Sequence, residues 1–284
     1  MTGRYVDLHI HSCYSDGSMT PDEIVNAALK NEIGVLAVAD HDATEGSIRI
    51  KSLCKQHDIV YIPAVEVDAL EKKTNFHILA YNFDINDQEF SQFLEHVRFL
   101  LDEFSIKLIE TMQKDNSGIT LSEYMKFDYD RNLGGWKALH YLKYKGLTST
   151  LKEGIRFYPR YDITYDKSGF PSISSICYRI KKAGGYAVLA HPGELLDSSD
   201  MAAFSEELRR IISLGLDGIE CYYPTHSESV TQACLDICAE KDLLITAGSD
   251  CHGVFGKTEV GEIKIPMEKV SLKGLTREVI KHKA

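Results

Sequence analysis

The sequence predicts an α/β fold, either a single α/β barrel or a core of that type with an inserted piece. Three observations support this prediction. Apolar runs of strand length alternate with helical patterns, polar residues follow the ends of those runs, and the alternation stops between residues 87 and 172 before it resumes. The 284 residues suffice for such a fold, and 44% hydrophobic with 26% charged residues is typical of a soluble globular protein. We therefore expect a barrel from 1–86 and 173–284, interrupted by a cap from 87–172.

The first part of the barrel begins with a short strand and a well-marked helix start. Thr20 has the position of an N-cap, Pro21 that of the first turn, and Glu23 completes a capping box. The continuous apolar run at 33–39 is typical of a strand that is covered on both faces. The other expected elements are a helix over about 44–56 and strands over 59–65 and 76–81. This alternation predicts a parallel sheet.

The segment from 87 to 172 has a different rhythm. Apolar residues recur at helical spacing from Phe90 to Ile109, which predicts one long helix that leads out of the barrel. Tyrosine-rich and basic pieces follow, including the stretch 156–161. We interpret the segment as a mainly helical cap between two barrel elements.

The α/β rhythm returns after residue 172. Gly184-Gly185 ends one helical pattern, and apolar strands again end in polar residues. The expected elements are helices over 173–183, 201–214 and 228–240, strands over 186–190, 218–223, 243–247 and 262–265, and a short basic helix at the end of the chain.

Charge and cysteine content limit the possible functions. The net charge of −10 argues against general binding of long nucleic acids, which needs a basic face. No apolar run reaches the length of a membrane span, and Met1-Thr2-Gly3-Arg4 leads straight into a strand, so we expect neither a membrane span nor a signal peptide. Seven scattered cysteines favour reduced thiols and a cytoplasmic location. Cys234 and Cys238 could share a metal, but buried packing is favoured.

Two histidines begin the pattern that points to a function. His9 and His11 alternate along a short strand and would point to the same side of it. Imidazole is a common ligand of first-row metals, although exposed histidines on an ordinary strand are the alternative. In an α/β barrel the carboxyl ends of all strands open on one face. The polar residues expected at that face are His9, His11, Asp16, Asp40, His41, Glu66, His77, His191, Glu220, Asp250 and His252.

We predict from this repeated placement a multinuclear metal centre. Imidazole with carboxylate, and without clustered thiolate, suits Zn, Mn or Fe. Such a centre can lower the pKa of a bridging water to near neutrality and can neutralise charge on a phosphoryl oxygen. That is hydrolase chemistry, and the cations of the cap favour an anionic substrate.

Four motifs in this chain resemble the signatures of the PHP (polymerase and histidinol phosphatase) family. They are Asp7-Leu8-His9-Ile10-His11-Ser12, Ala39-Asp40-His41-Asp42, Ala190-His191-Pro192-Gly193 and Gly248-Ser249-Asp250-Cys251-His252-Gly253. The similarity covers most of the chain. It is strongest to stand-alone phosphoesterases with an inserted cap, including nucleoside 3′,5′-bisphosphate phosphatases, whose pattern the stretch from Gly215 to His226 matches.

The resemblance implies a distorted seven-stranded (β/α) barrel, similar to a TIM barrel, that holds up to three divalent metal ions. One ion would bind His9, His11 and Asp250, with Glu66 bridging to a second ion. The second ion would also bind His77 and His191, and a third would bind Asp16, His41 and His252. Asp40 would then orient an imidazole.

The cap departs from the pattern of those relatives. They usually have Arg-Pro-His where this chain has Arg131, Asn132 and Leu133. Arg131, and less so Arg156 or Arg160, could bind phosphate in a bidentate fork, although a surface arginine is often only solvated. Trp136 or a cap tyrosine could stack on a base, with core packing as the alternative. His226 could protonate a leaving alkoxide or bind phosphate.

These observations predict a metal-dependent phosphoesterase that removes phosphate from a small metabolite, with a nucleotide favoured. A metal-bridging hydroxide would attack phosphorus, with Arg131 steadying the phosphoryl oxygens. The alternatives are hydrolysis of histidinol phosphate, exonuclease action on short oligonucleotides and, from another class, a non-catalytic metal-binding regulatory module.

Overall fold

The strands form two sheets in a computed structural model that describes residues 4–116 and 118–275. The strands are β1 (Tyr5–Asp7), β2 (Ile33–Leu36), β3 (Val60–Tyr61), β4 (Ala64–Glu71), β5 (Thr74–Tyr81), β6 (Tyr186–Leu189), β7 (Gly218–Tyr222), β8 (Leu244–Ala247) and β9 (Ile265–Pro266). The first sheet has the order β3-β2-β1-β9 and the second β4-β5-β6-β7-β8. The predicted mixed α/β fold is confirmed, but the strands form two open sheets and not one closed sheet.

The second sheet is only partly parallel, which corrects the prediction of a parallel sheet. β6, β7 and β8 are parallel, whereas β4 pairs antiparallel with β5, and β5 antiparallel with β6. The reason is a tight turn after β4, where Lys72 has a positive φ of 56°. No helix separates β4 from β5, so the chain reverses as a hairpin. The strand predicted over 59–65 is also divided at Pro63, into β3 and β4.

Most helices begin and end near the predicted positions. Thr20 caps α1 as expected: its hydroxyl accepts from the Glu23 backbone N–H, and the Glu23 carboxylate accepts from the Thr20 N–H. The helices are α1 (Pro21–Lys30), α2 (Glu45–Gln56), α3 (Gln88–Asp115), α4 (Leu121–Lys126), α5 (Lys137–Tyr144), α6 (Phe157–Arg160), α7 (Ile173–Lys182), α8 (Pro192–Leu195), α9 (Met201–Ile212) and α10 (Glu228–Lys241). The predicted basic helix at the chain end lies outside the described residues.

The long helix α3 packs against two separate apolar clusters. Phe90 and Val97, in its first half, lie in the cluster formed with β4–β8 and α7, α9 and α10. Phe104 and Leu108, in its second half, pack with residues of α4, α5 and α6. Between residues 88 and 167 the described regular structure is helical. The division into a barrel and a cap stays a prediction.

The two sheets meet where the first sheet's strands end. The N–H of Leu8 donates to the carbonyl of Ala247 at 2.9 Å, and the N–H of Glu66 donates to the carbonyl of Asp40 at 3.2 Å. These contacts bring the segments that follow β1 and β2 beside β8 and β4. As a result, the carboxyl ends of several strands from the two sheets lie close together.

Among the described residues, no helix has both the length and the apolar composition needed to cross a membrane.

Candidate metal centre

All nine side chains predicted as metal ligands come together at these strand ends. His77 lies in β5 and Glu66 in β4, while the others follow β1, β2, β6 and β8. Within each of four overlapping groups, one potential ligand atom per residue lies within 4.8 Å of the others. The groups are His11, Asp16, His41 and His252; His9, His191 and Asp250; His9, His11 and Glu66; and His41, Glu66 and His77. Which ion each residue would bind stays a prediction.

Glu66 lies at the middle of the arrangement and is fully buried. Its two carboxylate oxygens face imidazole nitrogens from four different segments of the chain. Oε2 is 3.2 Å from Nε2 of His9, 3.2 Å from Nε2 of His11 and 3.3 Å from Nε2 of His41. Oε1 is 3.0 Å from Nδ1 of His77 and 3.3 Å from Nε2 of His191. One buried carboxylate thus lies within 3.3 Å of five imidazoles.

Several buried polar atoms in this group make no hydrogen bond of acceptable geometry, although short distances separate some of them. They are Glu66 Oε2, Asp250 Oδ1 and the Nδ1 atoms of His11, His41, His77 and His191. An unsatisfied buried polar group costs roughly 1–3 kcal/mol, so six of them within one cluster need a common explanation. Divalent cations bound between these atoms would satisfy them. The nitrogen and oxygen donors fit Zn, Mn or Fe, as predicted for the centre.

Unusual backbone conformations accompany two of the predicted ligands. His191 has φ of 26° and Asp250 has φ of 51°. Both values lie in the left-handed region, which residues other than glycine seldom adopt. Such conformations persist where the surrounding structure enforces them, and they are common at functional sites. Pro192 follows His191 at the first position of α8.

The charges of the group shift the pKa values of its members in the metal-free protein. Burial alone would lower the pKa of His9, but the carboxylates of Glu66, Glu220 and Asp250 outweigh it and raise that pKa well above its ordinary value. For His252, the carboxylate of Asp16 likewise overcomes burial and raises the pKa to about 9. Burial would raise the pKa of Glu66, but the neighbouring imidazoles, first among them His9, hold it well below its usual range.

The structure gives Asp40 different partners from the imidazole that was predicted. Its carboxylate accepts hydrogen bonds from the Ser12 backbone N–H at 2.7 Å, from the Ser12 hydroxyl at 2.6 Å and from the Ser15 hydroxyl at 2.6 Å. Asp40 is fully buried, so these bonds hold the loop between His11 and Asp16 in place.

His226 has hydrogen bonds on both ring nitrogens. The Gly193 N–H donates to Nε2 at 3.1 Å, so the ring proton lies on Nδ1, which is 3.1 Å from the carbonyl of Cys221. Burial lowers the pKa of this imidazole. His226 therefore ties the turn after His191 to the end of β7, and neither nitrogen is free to act on a leaving group.

The predicted cap arginines lie in two different settings. Arg131 donates from Nη1 to the carbonyl of Tyr14 at 3.5 Å, two residues before Asp16. Arg156 and Arg160 instead lie over the ring of Phe157, at 5.7 and 5.9 Å. Phe157 belongs to the apolar cluster of α3, α4 and α5. Only Arg131 of the three is thus placed by its contacts at the loop that carries Asp16.

Trp136 also lies near this loop. Its indole N–H donates to the hydroxyl of Tyr158 at 3.2 Å, and its ring centre is 6.0 Å from that of Phe255, whose ring in turn lies 6.2 Å from His252. Trp136 is 37% exposed. Stacking of a base on this ring stays a prediction.

Four residues near the centre were missed by the sequence analysis. Asp68 lies 3.5 Å from Nδ1 of His41 and 3.6 Å from Nε2 of His77, and it accepts a hydrogen bond from Asn75 at 2.8 Å. Arg98, on α3, donates to the same Tyr14 carbonyl as Arg131, at 3.4 Å. The hydroxyl of Tyr223 donates to Asp250 at 2.9 Å. Asp68 and Asn75 had a sequence signal, since each lies two residues from a predicted ligand, Glu66 or His77, on the same strand.

The chain is similar to known proteins over most of its length. A 5′-3′ exoribonuclease from Haemophilus influenzae is 27% identical over 278 residues, which cover 92% of this chain and 94% of the relative. A 3′,5′-nucleoside bisphosphate phosphatase from Chromobacterium violaceum is 25% identical over 256 residues, 87% of each chain. A solved structure from Bifidobacterium adolescentis, of a protein proposed to be a metal-dependent phosphoesterase, shares the fold with a TM-score of 0.75 at 24% identity, over 97% of this chain and 95% of that one.

The family assignment rests on a domain match that covers more than half of the chain. Residues 7–214 match the PHP domain, and this range contains seven of the nine predicted ligands, from His9 to His191. The resemblance seen in the sequence motifs is confirmed, and the chain belongs to the PHP domain family.

Proposed function

We propose that the protein is a metal-dependent phosphoesterase that hydrolyses a phosphomonoester of a small phosphorylated metabolite. A nucleotide such as a nucleoside 3′,5′-bisphosphate is the proposed substrate. The observation that carries the proposal is the position of Glu66, a buried carboxylate that faces five imidazoles. Membership of the PHP domain family and the 25% identity to a bisphosphate phosphatase support it.

Up to three divalent ions would bind the nine ligands, in the grouping that the family resemblance implies. His9, His11 and Asp250 would hold one ion, and Glu66 would bridge it to a second at His77 and His191. Asp16, His41 and His252 would hold the third. When bound, these ions would activate water as the nucleophile and neutralise charge on the phosphoryl oxygens.

Other residues of the chain would shape the site around the phosphate. Arg131 and Arg98 approach the same carbonyl, that of Tyr14, so their guanidinium groups lie together beside the loop of Asp16. We propose that they bind an anionic part of the substrate, which guanidinium groups do with good geometry. Asp40 keeps this loop in place through Ser12 and Ser15.

A second candidate function is stepwise hydrolysis of short oligonucleotides. It is favoured by the 27% identity to a 5′-3′ exoribonuclease over 92% of the chain. The net charge of −10 disfavours binding along a long nucleic acid but leaves short ones possible. Both candidates would use the same metal centre, and they differ in the leaving group.

The test is phosphate release from a substrate panel by protein loaded with Mn, Zn or Fe. Adenosine 3′,5′-bisphosphate is compared with the 3′- and 5′-monophosphates, which serve as matched controls for the second phosphate. Histidinol phosphate, sugar phosphates and short oligonucleotides complete the panel. We expect kcat/KM to be highest for the bisphosphate. Preferred shortening of oligonucleotides would favour the exonuclease, and bound metal without turnover would favour a binding module.

A further inference from the structure

We propose that Tyr223 is a positioning residue of the metal centre, where it contacts the group formed by His9, His191 and Asp250. Through its hydroxyl it would orient Asp250, which the proposed grouping assigns to the ion of His9 and His11. The inference rests on the proposed function, because it assumes that these residues bind divalent ions. Tyr223 directly follows β7, a strand that carries none of the nine predicted ligands.

The first argument is the hydrogen bond that distinguishes the two oxygens of Asp250. The Tyr223 hydroxyl donates to Oδ2 at 2.9 Å. The other oxygen, Oδ1, is buried and has no hydrogen-bond partner. Oδ1 lies 3.1 Å from Nε2 of His11 and 3.5 Å from Nε2 of His9. The hydroxyl therefore holds the carboxylate in the orientation that presents Oδ1 to the imidazoles.

The second argument is the packing of the Tyr223 ring. Its centre lies 5.3 Å from the ring centre of His191 and 5.3 Å from that of His226. His226 is itself fixed by Gly193 and Cys221. Tyr223 thus contacts two of the three residues of this group, Asp250 through its hydroxyl and His191 through its ring.

Glu220, three residues earlier, contacts the same group from the other side. Its Oε1 is 3.1 Å from Nδ1 of His9, and its Oε2 accepts a hydrogen bond from the His191 backbone N–H at 2.9 Å. The pairing of β7 with β8 shifts register between Glu220 and Tyr222. The carboxyl end of β7 therefore contacts all three residues of the group while supplying no ligand itself.

The expected consequence is a loss of metal affinity when the hydroxyl alone is removed. In Tyr223→Phe the ring still packs against His191, but Asp250 can turn away from the site. Groups that orient ligands in this way typically change metal affinity by about 10- to 100-fold. We expect the loss to affect one bound ion, since the group of Asp16, His41 and His252 has no described contact with Tyr223.

The experiment is a calorimetric titration of metal-free protein with Mn²⁺ or Zn²⁺, for the wild type, Tyr223→Phe and Tyr222→Phe. Tyr222 packs against the apolar clusters. The Tyr222→Phe variant is therefore a control that removes a tyrosine hydroxyl at the neighbouring position. We expect Tyr223→Phe to weaken one binding event by about 10- to 100-fold, and Tyr222→Phe to change none. Urea unfolding of the metal-free variants should match the wild type within experimental error.

Two outcomes would overturn the inference while leaving the proposed function intact. In one, Tyr223→Phe binds every ion as the wild type does. In the other, all binding events weaken and the metal-free variant is also destabilised, which would make Tyr223 a structural residue only. A wild type that binds no divalent ion would overturn both the inference and the proposed function.

Discussion

His226 shows how hydrogen bonds decide the role of a single residue. A histidine beside a predicted metal centre is a natural candidate for a proton donor, and the sequence analysis gave proton donation or phosphate binding as alternative roles for it. In the structure both ring nitrogens are engaged with backbone groups, those of Gly193 and Cys221. The imidazole is therefore held in one neutral tautomer that links the turn after His191 to the end of β7.

Replacing this residue should alter stability more than proton transfer. His226→Ala leaves the Gly193 N–H and the Cys221 carbonyl without partners, which should lower the free energy of unfolding by about 1–3 kcal/mol. The pH dependence of kcat should have the same shape as in the wild type, because both ring nitrogens of His226 are bonded to backbone groups and take no part in proton transfer. Urea unfolding and a pH–rate profile on metal-loaded enzyme are the measurements. If one limb disappeared in the variant, His226 would be the general acid after all.

The histidines of the centre should make the metal-free protein sensitive to alkaline pH. The folded-state pKa of His252 is about 9, above its ordinary value of 6.5. Protonation of such a group contributes stability that is fully present below pH 6.5 and is lost as the pH rises through 9. The pKa values of His9, His41 and His77 are shifted in the same direction.

Thermal unfolding of chelator-treated protein between pH 6.5 and 9 tests this expectation. The midpoint should fall steadily across the window, and His252→Gln should reduce the slope. Metal-loaded protein should show a smaller decrease, because metal binding requires deprotonated imidazoles. A midpoint that stays constant or rises with pH in the metal-free protein would contradict the proposed charge arrangement.

Helices α1 and α2 offer a matched pair at the level of elements. Both begin after a threonine, but only Thr20 caps its helix with its side chain, whereas Thr44 makes no such bond. Thr20→Ala should therefore cost about 1 kcal/mol of unfolding free energy. Thr44→Ala should cost far less. Chemical unfolding of both variants is the measurement, and equal losses would show that the capping box of α1 is not what stabilises its start.

The hairpin of β4 and β5 was the element that the sequence patterns predicted least well. The alternation of strand and helix patterns in the sequence predicted that neighbouring strands are parallel. The segment after Val65 was not assigned to a strand. In the structure β4 continues to Glu71, and Asp68 lies opposite His77. The contact of Asp68 with His77 depends on this register, which is a tertiary property that no local pattern contains.

At the level of the whole molecule, the gathering of nine polar residues was predictable because each follows or lies in a strand. The rule that parallel strands open on a common face was enough to place His9, His191 and Asp250 together. What could not be predicted was the layer around them. Arg98 lies on a helix whose apolar positions dominate its pattern. Tyr223 follows β7 and contacts Asp250, which follows the neighbouring strand β8.

Of two predicted features of the whole molecule, closure of the sheet depends on long-range pairing and the helical segment does not. The strands form two open sheets instead of one closed barrel, joined where Leu8 meets Ala247 and Glu66 meets Asp40. Closure of a sheet depends on the tilt and stagger of its strands, which periodicity does not specify. The segment from 87 to 172 was expected to be helical, and its described elements are helices.

The central claim is that the metal centre carries the hydrolysis of a phosphoester. The most direct test measures bound metal and phosphate release on the same preparation while metal is returned stepwise to chelated protein. We expect no release from the chelated protein, release that appears only when more than one ion is bound, and nearly complete loss in His191→Ala and Asp250→Asn. Full activity without metal, or wild-type turnover in both metal-loaded variants, would contradict the claim.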